Sequence, residues 1–203
     1  MTPVDVLKEY WGYDSFRPLQ DQIVKSIGEN KDTLALMPTG GGKSITFQVP
    51  AMAKNGLCIV VTPLIALMKD QVAHLRKRNI KAACIYTGMT KREILTVLDN
   101  CILDEDYKFL YVSPERLESE LFITKVKQMN ICQIAVDESH CISQWGYDFR
   151  PDYLQIGALR EMVDAPVIAL TATATPQVAE DIMERLRFEE KCMIKTGFER
   201  PNL

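Results

Sequence analysis

Two short stretches carry residue types from which phosphate chemistry can be built. "MPTGGGKS", residues 37–44, sets three consecutive glycines before Lys43 and Ser44. In this reading Thr39, Gly40, Gly41 and Gly42 form a loop whose backbone amides close on an anion without Cβ obstruction. Lys43 would neutralise the β- and γ-phosphates of a nucleotide, and the Ser44 hydroxyl would ligate Mg²⁺. The GxxxxGK[ST] frame puts Met37 where a glycine is expected. A bare GK[ST] tripeptide arises in on the order of one in ten chains of this length, so the loop needs company. "ICQIAVDESH", residues 131–140, supplies it: an apolar run ends in Asp137 and Glu138. Adjacent carboxylates repel unless a cation shares them. Asp137 is read as a second Mg²⁺ ligand beside Ser44, and Glu138 as the group that orients or deprotonates an attacking water. A solvated acidic turn would leave His140, Gln144 and the following aromatics without a purpose.

A third stretch, "ALTATAT" at residues 169–175, again closes an apolar run. Thr171 and Thr173 could link a nucleotide site to another surface through hydroxyl hydrogen bonds. Threonines at strand ends also cap the next helix, and spacing alone leaves both readings open.

The elements that must position these clusters are legible as an alternation. Apolar strand-like runs lie near Thr33–Met37, Cys58–Val61, Ala82–Tyr86, Phe109–Val112, Ile131–Val136, Val167–Leu170 and Met193–Lys195. They are short and apolar on both faces, as strands of a covered parallel sheet are. Helical patterns separate them. Leu64, Leu67, Met68, Val72 and Leu75 fall on one face, as do Val178, Ile182 and Leu186. Thr62-Pro63, Ser113-Pro114 and Thr175-Pro176 read as hydroxyl caps followed by proline, and Thr90 with Glu93 has capping-box spacing. The expected fold is α/β: an open, mainly parallel sheet with helices on both faces. Ligands of such sheets bind beyond the carboxyl ends of the strands, where all three clusters fall. Residues 1–30, whose Leu19, Ile23 and Ile27 make a short amphipathic helix ending at Gly28, form an N-terminal segment ahead of the lobe at 31–203.

Composition narrows the setting. The chain has 203 residues, 47% of them apolar, and a net charge of −3 from 24 Lys plus Arg against 27 Asp plus Glu. Any nucleic acid must therefore be held by a local surface and not by a global positive field. No apolar run is long enough to span a bilayer, and the first residues lack a secretory core. Six cysteines without a CxxC pair, and two histidines not spaced for zinc, read as reduced structural thiols of an intracellular protein with no zinc site.

Taken together, "FRPLQ" (16–20), "MPTGGGKS", "TPLIALMKDQV" (62–72), "DESHCISQWGYDFRPDY" (137–153), "ALTATAT" and "FERPNL" (198–203) resemble the first RecA-like motor lobe of RecQ-type DNA helicases. The likeness covers essentially the whole chain, and Met at position 37 is ordinary in that family. It implies an ATP- and Mg²⁺-dependent helicase of 3′→5′ polarity, working in DNA repair and recombination, cytoplasmic at the nucleoid if bacterial. Lys43, Asp137, Glu138, His140 and Gln144 take catalytic roles by this resemblance. Gln20, with Arg17 and Tyr13, takes the adenine-reading role; the residues alone favour helix-start packing and capping there. Leu19 stands where many relatives have glycine, and Ser139 where Ala or Val is commoner.

The resemblance further implies that Ser143–Tyr153 couples single-stranded DNA to hydrolysis. Trp145 and Phe149 would offer stacking faces and Arg150 a phosphate contact, whereas packing stays open for Tyr147 and Tyr153. Other DNA contacts would come from Thr62, Pro63 and Lys69, and from Ser113 and Arg116, with Thr171 and Thr173 joining the two sites. The basic run "HLRKRNIK" (74–81) ends a helix at the opposite edge and reads as a solvated face. ATP would lie in a cleft against a second RecA-like lobe of the same protein, so residues 1–203 alone are expected barely to hydrolyse it. Two other readings are a DEAD-box-type RNA helicase lobe, which the "QWGYDFRP" tail opposes, and a P-loop small-molecule kinase, for which no acceptor pocket or lid is legible.

Overall fold

The computed structural model describes residues 1–38 and 42–195. Thr39, Gly40 and Gly41 of the glycine loop, and the "FERPNL" stretch, lie outside the described residues. All seven expected strands are present: β1 (Thr33–Leu36), β2 (Leu57–Val61), β3 (Lys81–Ile85), β4 (Tyr107–Val112), β5 (Ile131–Val136), β6 (Val167–Thr171) and β7 (Cys192–Lys195). They form one sheet in the order β3-β4-β2-β5-β6-β1-β7, and every pairing is parallel. The helices are α1 (Pro3–Val6), which runs on into a wider turn at Leu7–Trp11, then α2 (Pro18–Gly28), α3 (Lys43–Met52), α4 (Ile65–Lys77), α5 (Lys91–Leu103), α6 (Glu120–Val126), α7 (Gln155–Met162) and α8 (Pro176–Arg185).

Alternation along each strand divides the core into two layers. Leu34, Ile59, Leu110 and Ile134 pack on one face against Leu98 of α5, Phe122 of α6, Ile156 of α7 and Ile182 of α8. Ala35, Val60, Tyr111 and Ala135 pack on the other against Ile23 and Ile27 of α2, Phe47 of α3 and Met68 of α4. Ile23 and Ile27 are fully buried, each worth about 1.5–3 kcal/mol, so the N-terminal segment shares the core of the lobe. Leu19 packs partly buried against the same layer.

The helix starts divide between expected and different. Thr175 caps α8 by accepting from the Val178 amide, and Thr90 with Glu93 closes the capping box on α5. Thr62 does not cap: α4 begins three residues later, with Leu64 at its cap position and 48% exposed. Met68, Val72 and Leu75 alone form the buried stripe of α4, because the chain turns at Pro63 before the helical period begins. Ser113 likewise makes no cap hydrogen bond, and the helix after it is a single 3₁₀ turn, Pro114–Glu118. Near the other end of α4, Arg76 donates to the Ala82 carbonyl and Arg78 lies 5.5 Å from the Trp11 ring, so part of the basic run is engaged in packing.

Candidate functional site

Strand order decides which clusters meet. β5, β6 and β1 are adjacent, with β6 between the other two. Their carboxyl ends deliver Asp137-Glu138, Thr171-Thr173 and Met37-Pro38, the residues that lead into the glycine loop, to one stretch of rim, with β5 and β1 about 10 Å apart at normal strand spacing. On the other side of β5, the ends of β2 and β4 deliver Thr62 and Ser113.

Gly42 caps α3 with φ +74°, a conformation that side chains rarely adopt. An added Cβ would stand 2.3 Å from Nε2 of Gln20. That carboxamide is buried and already engaged: Nε2 donates to the Gly42 carbonyl at 3.3 Å, and Oε1 accepts from the Arg17 amide at 3.0 Å. Gln20 therefore joins α2 to the start of α3, while Tyr13 and Arg17 stand exposed. Lys43 and Ser44 occupy the first turn of α3, half-buried, where free backbone amides favour an anion.

Asp137 is 8% exposed. Its carboxylate accepts from the Glu138 amide at 2.9 Å, and its carbonyl accepts from the Tyr153 hydroxyl at 2.9 Å. Burial pushes its pKa up; the charge of Lys43 opposes that, Glu138 adds to it, and the Glu138 amide and His140 oppose it. Lys43 acts on Asp137, so the two motifs share one electrostatic site. Glu138 adopts a left-handed backbone, φ 49° and ψ 44°, costing on the order of 1–2 kcal/mol for a side chain with a Cβ. This turn swings its carboxylate to 3.5 Å from His140 Nδ1.

His140 is buried, and its Nδ1 lies 2.8 Å from Thr171 Oγ1. Thr171 gives its single hydroxyl proton to the Thr173 carbonyl at 3.1 Å. It must therefore accept from His140, which fixes the Nδ1–H tautomer. The Met37 amide donates to the Thr171 carbonyl at 3.0 Å. A hydrogen-bonded path thus runs from β1, past β6, to the acidic turn. On its far side the imidazole stacks on Tyr147, centroids 4.9 Å apart and planes 19° from parallel.

Tyr147 is 79% exposed and Trp145 65% exposed, so neither is a core residue. With His140, Thr173, Ala174 and Val178 they line an apolar cleft of about 410 Å³. Gln144 is exposed, and Phe149 and Arg150 are half-buried. Arg150 pairs with Asp148 at 3.5 Å, while its Nε is buried without a partner among the described residues. The ligand atoms of His140, Cys141 and Asp148 lie within 4.8 Å of one another. Burial pushes the Cys141 thiol up to about 12, and Arg150 already neutralises Asp148, so this trio is poorly suited to a cation.

Thr62 and Ser113 are buried on the β2–β4 half of the rim, with Pro63 beside them and Arg116 one short turn beyond. Thr62 Oγ1 and Arg116 Nε are buried without partners among the described residues. Lys69 is exposed and holds its ammonium 4.7 Å from the Tyr86 ring. Two supporting residues escaped sequence reasoning. Tyr153 left only a packing signal, and Tyr147, with no periodicity to place it, lies over an imidazole.

Residues 17–182 match the DEAD/DEAH box helicase model. The chain belongs to the DEAD/DEAH box helicase family. Across 201 residues it is 47% identical to the ATP-dependent DNA helicase RecQ of Bacillus subtilis, covering 98% of this chain and 34% of that protein. It is 41% identical to the RecQ of Haemophilus influenzae, covering all of this chain and 33% of that protein. The chain therefore spans about a third of the length of each of these two relatives. Among solved structures, the Pyrococcus furiosus Hef helicase domain superposes with a TM-score of 0.69 at 18% identity, over 89% of this chain and 38% of that one. The DUF1998 helicase MrfA bound to DNA and AMPPNP gives 0.76 at 16% identity, over 96% and 29%. The two superpositions establish a helicase-type RecA-like fold. No helix among the described residues is long and apolar enough to cross a membrane.

Proposed function

We propose that this chain is the first of two RecA-like motor lobes of a RecQ-type, ATP-dependent DNA helicase that moves 3′→5′ in DNA repair and recombination inside the cell. One observation carries the reading: the charge of Lys43, at the start of α3, acts on the buried Asp137 carboxylate across the end of β6. A buried carboxylate beside a lysine and a helix N-terminus suits magnesium-bound triphosphate. Lys43, Ser44, Gly42 and the loop residues Thr39, Gly40 and Gly41 would hold the phosphates. Ser44 and Asp137 would hold Mg²⁺, which supplies charge neutralisation when bound. Glu138 orients water, and His140 holds Glu138 while passing the state of the site to the aromatic loop. In this reading residues 1–30 read the base through Gln20, Arg17 and Tyr13. The second lobe closes the cleft and supplies transition-state cations, an element worth on the order of 10³–10⁵ in turnover in related NTPases.

Single-stranded DNA would cross the rim from Thr62, Pro63 and Lys69, past Ser113 and Arg116, to Trp145, Phe149 and Arg150. The Thr62 hydroxyl and Arg116 Nε, buried without partners among the described residues, support a phosphate contact there. The test is nucleotide hydrolysis by the longer protein with and without single-stranded DNA or RNA, using Lys43→Ala as control. DNA stimulation that disappears in the variant is expected. An active Lys43→Ala protein would overturn the phosphate-loop assignment, and stimulation by RNA alone would favour the RNA-helicase reading.

A further inference from the structure

One buried hydroxyl ties the helix that begins at Lys43 to the helix that carries Lys69. Tyr111 lies on β4 between β3 and β2, fully buried, two residues before Ser113. Its oxygen accepts from Gln48 Nε2 at 3.0 Å, and its proton goes to Gln71 Oε1 at 2.7 Å. Gln48 is five residues past Lys43 on α3; Gln71 is two past Lys69 on α4. A side chain needed only to fill this layer could be phenylalanine, as Phe109 is two residues earlier on the same face. Gln48 and Tyr111 have instead been taken out of water, and Gln71 in part, which costs free energy unless each polar group is paired. Burial raises the phenol's pKa strongly, so it remains a donor across the working pH range. With one proton to give, the hydroxyl sets the direction of the relay: Gln48 donates inward, and Gln71 must present its oxygen.

We propose that Gln48, Tyr111 and Gln71 are positioning residues that lock α3 to α4, so that nucleotide at the glycine loop and DNA at the β2–β4 half of the rim bias each other's binding. This rests on the DNA-motor reading above. The relay joins the three segments that reading needs: the phosphate-loop helix, the Thr62–Lys69 segment and the Ser113–Arg116 turn. Hydrogen-bond networks of this kind modulate coupling between sites and, by reciprocity, affect both ligands equally.

The experiment uses the longer protein and measures single-stranded DNA affinity with and without a non-hydrolysable ATP analogue. The ratio of the two affinities is the coupling factor. Tyr111→Phe and Gln71→Met are each expected to move that factor towards one by about 2- to 30-fold. The double variant is expected to go no further, because the pair acts as a unit. Basal hydrolysis and cooperative unfolding should persist in all three. Gln71 is only half-buried, so Gln71→Met carries the test if Tyr111→Phe folds poorly. Variants with a lowered unfolding temperature and a wild-type coupling factor would reduce the relay to a core fastening and overturn the inference. A wild-type protein with a coupling factor of one would instead remove the motor reading beneath it.

Discussion

Thr171→Val deletes one hydroxyl from a fully buried site while nearly preserving shape, so its consequences can be worked through. The hydroxyl donates to the Thr173 carbonyl and accepts from His140 Nδ1. Losing the first bond costs about 1 kcal/mol. Losing the second strands an N–H inside the protein, a penalty of about 1–3 kcal/mol. Glu138 Oε2, already 3.5 Å from the same nitrogen, can tighten onto it, so the lower end applies. The sum is about 2 kcal/mol, or about 4–8 °C in unfolding temperature for a domain of this size. Thr171→Ser keeps the hydroxyl and should lose much less. Nitrogen NMR adds a direct check, since the chain has only two histidines: wild-type His140 is expected as the Nδ1–H tautomer. A wild-type Nε2–H tautomer would refute that hydrogen-bond direction, and Thr171→Val unfolding within 1 °C of wild type would refute the cost assigned to its loss.

Asp137→Asn should raise the unfolding temperature at neutral pH. Burial holds the Asp137 pKa above the ordinary carboxylate value, so folding favours the neutral form. That contribution is complete below the ordinary value and is lost as pH rises through the raised one. The advantage of Asn should therefore close on acidification; thermal melts across pH decide it, and a gap that widens in acid would contradict the burial argument. Ser139→Ala should stabilise the fold, because Ser139 Oγ is fully buried without a partner among the described residues. Removing it should gain up to about 1 kcal/mol, seen as a rise of about 2–4 °C. A fall would mean that the hydroxyl is satisfied in solution.

Seven strands were readable because each is a short apolar run closed by a turn, and a parallel sheet buried on both faces demands that pattern. The phosphate loop and the acidic turn were readable for another reason: their chemistry needs fixed residue types at adjacent positions. Where a feature depends on partners distant in sequence, local pattern has nothing to register. Tyr153 reaches back 16 residues to the Asp137 carbonyl, and Tyr111 lies 63 residues from Gln48 and 40 from Gln71. The hydroxyl-proline pairs were misleading about capping: at Thr62 proline makes a turn and the helix starts later, and at Ser113 a short 3₁₀ helix starts at Pro114 without a side-chain cap.

The ambiguity at Thr171 closes for a topological reason. Capping falls to Thr175, and Thr171 becomes the bridge because β6 is inserted between β5 and β1, a strand order that no local periodicity encodes. The insertion does two things at once. It separates the end of β5, which carries Asp137, from the end of β1 by about two strand spacings. It also fills that gap with a residue hydrogen-bonded to both sides, through the Met37 amide and His140. Any displacement of β1 relative to β5 must therefore strain a buried hydrogen bond at Thr171, and from there reach His140 and the tyrosine stacked upon it.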